Sequence, residues 1–208
     1  MKKFISICLL FSISTLWSAS AYGKDFPIKT KTSDGTEVQL NKDGTWEFGI
    51  KDSYEKPKKS TKVLKSNKDF IQIWYNPAKW KITKEPLSPA AEFSLMHKTG
   101  EGYGIMIIES IKMSRKSLKA NALKNAKKAA PDAYISLEKV TKINGVDVLI
   151  MNIRGTINKM NFVYHSAYWA GPEGVFQIIT YTTNDLFVKY SEDFDNVLAG
   201  IIVKSSKK

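Results

Sequence analysis

The stretch from Tyr134 to Ile157, YISLEKVTKINGVDVLIMNIRGTI, decides the fold. Two long strand-forming runs flank Asn144-Gly145, a dipeptide typical of the type I′ turn of a β-hairpin. The second run is apolar at consecutive positions from Val148 to Met151 and again at Ile153, so both faces of that strand are apolar. Such a strand needs cover on both sides. We therefore predict a largely antiparallel sheet with helices packed on it.

Other runs nearby predict more strands of this sheet. One hairpin is expected around the loop at 171–174 and another around the glycine-containing loop at 99–102. Two shorter runs come before them, and each is followed by a break that contains proline. The further strands are predicted at Phe70–Tyr75, Trp80–Thr83, Ala91–His97, Tyr103–Glu109, Met160–Trp169 and Val175–Thr182.

Two segments have the composition and spacing of helices. Residues 114–130 are rich in Ala, Leu, Lys and Asn, with Ser114 placed to cap the start and Pro131 to end the helix. In residues 185–199 large apolar side chains recur at helical spacing. We predict that both helices cover the sheet, which makes the fold class α+β.

The first 21 residues predict a signal peptide. Two lysines precede an apolar stretch from Phe4 to Trp17, and small residues at 18–21 end in an Ala-x-Ala pattern. The apolar stretch is short and interrupted by Ser and Thr, which argues against a membrane span. We expect cleavage after Ala21, or in an alternative register after Gly23. The cut protein should then have no transmembrane segment and be periplasmic or secreted.

The composition narrows the possible functions. The chain has a formal net charge of +12 at pH 7, 43% hydrophobic residues and 12% aromatic residues, which suits a packed core. Its single cysteine, Cys8, lies inside the predicted signal, so we expect neither a disulfide nor thiol chemistry. The basic charge favours anionic partners or simply a soluble surface. Because Lys outnumbers Arg, the usual residue for bidentate phosphate recognition, a nucleic-acid partner is disfavoured.

Residues 22–50 predict a small β-hairpin unit. Two Asp-Gly turn dipeptides each precede a strand-like run. Val38 and Leu40 of one run can share a face with Trp46 and Phe48 of the other. A sheet of this size has little core, so we expect it either to dock on another part of the protein or to be only marginally stable. The Asp-Gly-Thr-Trp pattern resembles a short hairpin near the N-terminus of many exported bacterial proteins, and it names no activity.

Two basic segments flank the main domain, which we place at residues 69–203. Residues 51–68 hold many lysines, few acids and a proline, as in a flexible linker or a polybasic arm that binds anions. Residues 204–208 form a short basic tail.

The main domain resembles the PsbP/Mog1-like fold family. The resemblance rests on an opening Trp74-Tyr75-Asn76-Pro77-x-x-Trp80-x-Ile82, a Lys-rich helix, two long hairpins, and Tyr181-Thr182 leading into an aromatic final helix. It implies an α/β/α sandwich and a binding or accessory role. One branch of the family supports the oxygen-evolving photosystem, another binds a small GTPase, and bacterial members lie in the envelope. No family site residue maps onto this chain.

Motifs for catalysis or metal binding are not evident. His97 and His165 are the two histidines, each isolated on a predicted strand, where a hydrogen-bonded structural role is the usual one. With no second His at ligand spacing, a zinc site is disfavoured. The glycines at 100, 102 and 104 precede a strand rather than a helix, which fits a hairpin turn and not a phosphate loop. We expect no catalytic residues, cofactor or metal.

These observations favour an exported, non-enzymatic binding or accessory protein of the bacterial envelope, whose partner is a protein or an anionic envelope component. A carrier of a small apolar or lipid-like ligand and a hydrolase with an unrecognised site are the alternatives. A candidate anion or partner surface lies on the helix at 114–130 and comprises Arg115, Lys116, Lys119, Lys124, Lys127 and Lys128. A candidate aromatic cleft comprises Trp74, Trp80, Tyr164, Tyr168, Trp169 and Tyr181.

Overall fold

The structure is a computed structural model that describes residues 27–32, 37–42 and 44–204. The predicted signal peptide and its cleavage after Ala21 lie outside the described residues. So do the first Asp-Gly turn and all of the predicted basic tail except Lys204. Within the described ranges, no helix is long and apolar enough to cross a membrane.

One large sheet dominates the described chain. In chain order the elements are β1 (Ile28–Lys31), β2 (Glu37–Leu40), β3 (Trp46–Phe48), β4 (Ser53–Tyr54), β5 (Lys62–Lys65), β6 (Ile71–Tyr75), β7 (Trp80–Ile82), β8 (Phe93–His97), β9 (Tyr103–Glu109), α1 (Arg115–Ala129), β10 (Tyr134–Ile143), β11 (Val146–Ile157), β12 (Met160–Gly171), β13 (Gly174–Thr183), α2 (Asn184–Ala199) and β14 (Ile201–Val203). The strand order of the large sheet is β4-β10-β11-β12-β13-β9-β8-β7, with neighbours antiparallel apart from the parallel pair β4–β10. This confirms the predicted α+β class.

The hairpin β10–β11 turns as the sequence predicts. Ile143 pairs with Val146, and the two residues between them, Asn144 and Gly145, have φ values of 46° and 85°. Positive φ at both central positions defines a type I′ turn, which is the reason for the Asn-Gly pair.

Both faces of β11 are buried, each against a different helix. Val148 and Ile150 belong to the core under α2, whereas Leu149 and Met151 belong to the core under α1. The layers are therefore helix, sheet, helix. The predicted helices are confirmed, and the Ser114 hydroxyl caps α1 by accepting from the backbone N–H of Ser117 at 3.0 Å.

A second sheet, β14-β6-β5, packs beside α2. Gly200 makes the passage from α2 into β14 possible, because a Cβ atom there would overlap the carbonyl oxygen of Trp74. The backbone N–H of Trp74 donates to the carbonyl oxygen of Gly200 at 2.8 Å and ties the two segments together.

The flexible linker predicted at 51–68 is corrected by the structure. This segment carries β4, which extends the large sheet, and β5, which pairs with β6. Between its exposed lysines, Tyr54 and Leu64 reach the core and are buried. Lysine-rich composition concealed these anchors, since a strand needs only alternate residues to face inward.

Candidate functional site

The N-terminal sheet β1-β2-β3 turns an apolar face towards solvent. Val38 pairs with Phe48 and Leu40 with Trp46, so the predicted shared face of the hairpin is confirmed. Yet the side chains of Trp46 and Phe48 are 51% and 46% exposed. Neighbouring large apolar side chains in the open are typical of an interaction surface. We call Val38, Leu40, Trp46 and Phe48 the outer face.

The opposite, polar face of this sheet docks on the main domain. Glu47 lies between the two exposed aromatic residues, is buried, and directs Oε1 at three donors of the large sheet. These are Nε of Arg154 at 2.9 Å, Nδ2 of Asn152 at 2.9 Å and Oγ of Ser136 at 3.0 Å. The sequence predicts that the small N-terminal unit docks on the rest of the protein, but it does not predict that polar groups make the contact.

Gln39 completes this polar contact from the neighbouring strand. Its Nε2 atom lies 2.9 Å from Oε2 of Glu47 and 2.6 Å from the carbonyl oxygen of Ser136. Gln39 is itself buried. The inward face of the sheet is thus a hydrogen-bonded network rather than an apolar core, and within the described residues Oε1 of Gln39 is its one member without a hydrogen bond.

Arg154 is held from several sides. Its NH1 group donates to Oδ1 of Asn184 at 2.7 Å, and its guanidinium lies 5.8 Å from the ring centre of Phe187. The residue is only 2% exposed. A buried guanidinium needs a compensating charge, and the ion pair with Glu47 supplies it.

A cleft of about 530 Å³ opens beside this network, between the N-terminal sheet and α2. His165 and Asn152 line its floor, where Nδ1 of His165 lies 2.6 Å from Oδ1 of Asn152. Nε2 of His165 lies 3.1 Å from Oδ1 of Asp195, which also accepts from the Tyr54 hydroxyl at 3.1 Å. His165 is therefore engaged at both ring nitrogens.

Asp195 is the anionic centre of this cleft. Burial raises the pKa of its carboxyl, but the hydrogen bond from His165 and the nearby charges of His165 and Lys51 outweigh burial, and the pKa lies below its ordinary value. Lys51 Nζ lies 3.2 Å from Oδ2 of Asp195.

The other histidine also pairs with an acid of α2. Nε2 of His97 lies 3.3 Å from Oδ2 of Asp193, and Nδ1 lies 2.8 Å from the Thr99 hydroxyl. Burial lowers the pKa of His97. Two acids of α2 thus serve as histidine partners. In the part of the chain that the structure describes, no group of three or more His, Cys, Asp or Glu side chains is placed to hold a metal ion.

The predicted cationic surface on α1 divides into paired and exposed groups. Lys119 forms an ion pair with Glu138, and Arg115 donates to the carbonyl oxygen of Asp147 at 3.2 Å. The remaining four side chains are exposed and lie away from the buried side of the helix: Lys116, Lys124, Lys127 and Lys128.

The predicted aromatic cleft is not one site in the structure. Trp80 packs edge-on against His97, and Trp169 stacks on Phe176, both in the core under α2. Trp74 lies on β6, with Lys56 Nζ 4.8 Å from its ring centre. The sheet separates these rings from the three tyrosines, because alternate strand residues face opposite sides.

The three tyrosines of that set do come together. Tyr164, Tyr168 and Tyr181 line a groove of about 300 Å³ beside α1, together with isoleucines of β9 and β13. Burial raises the pKa of Tyr181 to about 12, so its hydroxyl remains protonated at physiological pH. This groove is apolar along the sheet and polar at its tyrosine hydroxyls.

No family model and no curated protein matches the chain. Among solved structures, it is similar to cyanobacterial PsbP (CyanoP) from Synechocystis sp. PCC 6803, with a TM-score of 0.53 and 14% identity, over 71% of this chain and 95% of that one. The chain has the PsbP/Mog1-like fold. At 14% identity the likeness concerns the fold alone. LpqN of Mycobacterium tuberculosis, described as involved in cell envelope biogenesis, matches with a TM-score of 0.46 and 12% identity over 69% of this chain and 90% of its own.

Proposed function

We propose that this chain is an exported, non-enzymatic binding protein of the bacterial cell envelope, and that the outer face of its N-terminal sheet binds a partner protein. The partner would present an apolar patch with acidic groups at its rim. Lys42, next to β2 in the same unit, is exposed and supplies complementary charge. A fold shared with PsbP is compatible with an accessory role.

The exposure of Trp46 beside Phe48 carries this proposal. Both rings project from β3, and the buried Glu47 between them holds the opposite side of the strand against the main domain. The rings therefore cannot turn inward without breaking a buried ion pair. Aromatic side chains of this kind contribute much of the binding energy in protein interfaces.

The contacts of the two histidines agree with a non-enzymatic role. His165 is hydrogen-bonded at both ring nitrogens, to Asp195 and Asn152, and His97 lies between Asp193 and the Thr99 hydroxyl. The four exposed lysines of α1 add long-range attraction to anionic envelope components, which salt would screen.

The groove beside α1 favours one alternative, a carrier of a small apolar ligand. Ile105, Ile107 and Ile179 line it next to the three tyrosines. A ligand with one polar end would suit the tyrosine hydroxyls. Its volume of about 300 Å³ is at the lower limit of ordinary ligand sites.

Capture from an envelope extract separates these functions. The bait is the protein without its predicted signal peptide, and it is compared with the variant Trp46→Ser/Phe48→Ser. The control is Met160→Ser/Val188→Ser, which removes two similarly exposed apolar side chains elsewhere. We expect a protein retained by the wild type and the control but lost with the first variant. Native mass spectrometry of the bait tests the carrier function by detecting any bound small molecule. A bound small molecule, with capture unaffected by either variant, would favour the carrier.

A further inference from the structure

The three donors around Glu47 form a site in their own right. Ser136, Asn152 and Arg154 belong to two neighbouring strands, β10 and β11, and point at one carboxylate oxygen. Asn152 and Arg154 are two residues apart, so both project from the same face of β11. The main domain thus contributes the complete donor set for that oxygen, and the N-terminal sheet contributes the carboxylate.

We propose that Ser136, Asn152 and Arg154 are a carboxylate-binding site, that Glu47 fills it as an intramolecular ligand, and that an acidic side chain of a bound peptide can take its place. Burial of Arg154 makes an anion obligatory, since an isolated guanidinium in this position would be uncompensated. A carboxylate suits three donors on one oxygen and leaves its second oxygen for another donor, as Gln39 does here.

The N-terminal sheet is attached to this site by polar contacts that another carboxylate could replace. Its apolar side faces solvent, so its attachment depends on polar contacts made by Gln39 and Glu47 instead of buried apolar area. If another carboxylate took the place of Glu47, it could form the same hydrogen bonds and ion pair with the three donors.

The cleft beside the site gives a ligand its approach. Asn152 lines both the cleft and the carboxylate site, and it connects them to His165. Lys31, Lys51 and Lys139 stand around the cleft, each paired with an acid of this chain: Glu37, Asp195 and Asp52. An acidic peptide can compete for these lysines as it enters.

Chemical rescue tests the site directly. In the full cut protein, Glu47→Ala should lower the thermal midpoint by roughly 10 °C, because Arg154 loses its counter-ion. Propionate, whose three carbons match the whole glutamate side chain from Cβ to the carboxylate, should restore part of that loss in a saturable way. Propionamide and chloride at equal concentration and ionic strength should not. The control Glu37→Ala removes an exposed acid of the same sheet and should show no propionate effect.

A second variant keeps the test decisive if Glu47→Ala folds poorly. Glu47→Gln keeps the side-chain volume and offers a carbonyl oxygen to the three donors, but it leaves Arg154 without a negative charge. Propionate should raise its thermal midpoint by displacing the neutral amide from the three donors, and adding Arg154→Leu should abolish the gain. If propionate acts no better than propionamide on either variant, the donors are only a structural tie and the proposal is wrong.

Discussion

The Nε atom of Arg154 lies 2.9 Å from Oε1 of Glu47, and both side chains are shielded from solvent. The two residues are 107 positions apart in the chain, so the contact joins the N-terminal sheet to the main domain. Because successive side chains of a strand point to opposite faces, drawing Glu47 inward turns Trp46 and Phe48 outward. One ion pair thus sets the orientation of the outer face.

Removal of one member of this pair should destabilise the protein strongly. We expect Glu47→Ala or Arg154→Leu to lower the free energy of unfolding by roughly 3–5 kcal/mol, because the remaining charge stays buried without a partner. The double variant Glu47→Ala/Arg154→Leu should lose much less than the two single losses together. Urea unfolding measures all three, with Glu37→Ala as the exposed control. Additive losses would show that the two residues are not coupled.

The Asp195 carboxyl should make the free energy of unfolding depend on pH. Burial raises its pKa, but the hydrogen bond and charge of His165 lower it more, so the folded pKa lies below the unfolded value of 3.8. Its contribution is therefore present above about pH 4 and lost as the pH falls through the folded pKa. The stability difference between wild type and Asp195→Asn, measured by urea unfolding, should shrink below about pH 4. A difference that is constant from pH 7 to 3 would contradict this.

The segment at 51–68 should resist trypsin unevenly. Lys58 and Lys59 lie exposed in a turn, whereas Lys62 and Lys65 belong to β5 and are paired with β6. Cleavage should therefore begin at the turn. Peptide mapping at short digestion times gives the order of cuts. Equally rapid cleavage at Lys62 and Lys65 would instead support the interpretation of this segment as a flexible linker.

Export remains a prediction that protein chemistry can test. Sequencing the N-terminus of protein recovered from the periplasmic or secreted fraction should give a chain that starts at Tyr22. Residues 1–21 supply the basic, apolar and small-residue order that signal peptidase recognises. Recovery of the uncut chain in the membrane fraction would indicate an anchor instead.

Sequence reasoning succeeded where local signals are strong. The Asn144-Gly145 turn, the Ser114 cap and the two-sided apolar run of β11 each act within a few residues, so they fixed hairpins, helices and layers. It missed β4, β5 and β14, which have two, four and three residues and form only against partners supplied by the rest of the fold.

The site was harder to predict because its parts are distant in sequence. Glu47 and Arg154 carry no shared motif, and α1 with its lysines was the more conspicuous charged feature. One signal was present: Asn152 and Arg154 follow the apolar run Val148–Met151 on a strand that is buried on both faces. A charge in that position requires a partner, although the sequence does not show which one.

Photo-crosslinking from the outer face is the most direct test of the proposed function. A photoreactive phenylalanine analogue is placed at position 46 in the exporting cell, and at position 188 as a control, since Val188 is 55% exposed on α2. We expect a protein adduct of discrete mass from position 46, absent from position 188 and lost when Phe48→Ser is added. The same adducts from both positions, or no protein adduct from position 46, would contradict it.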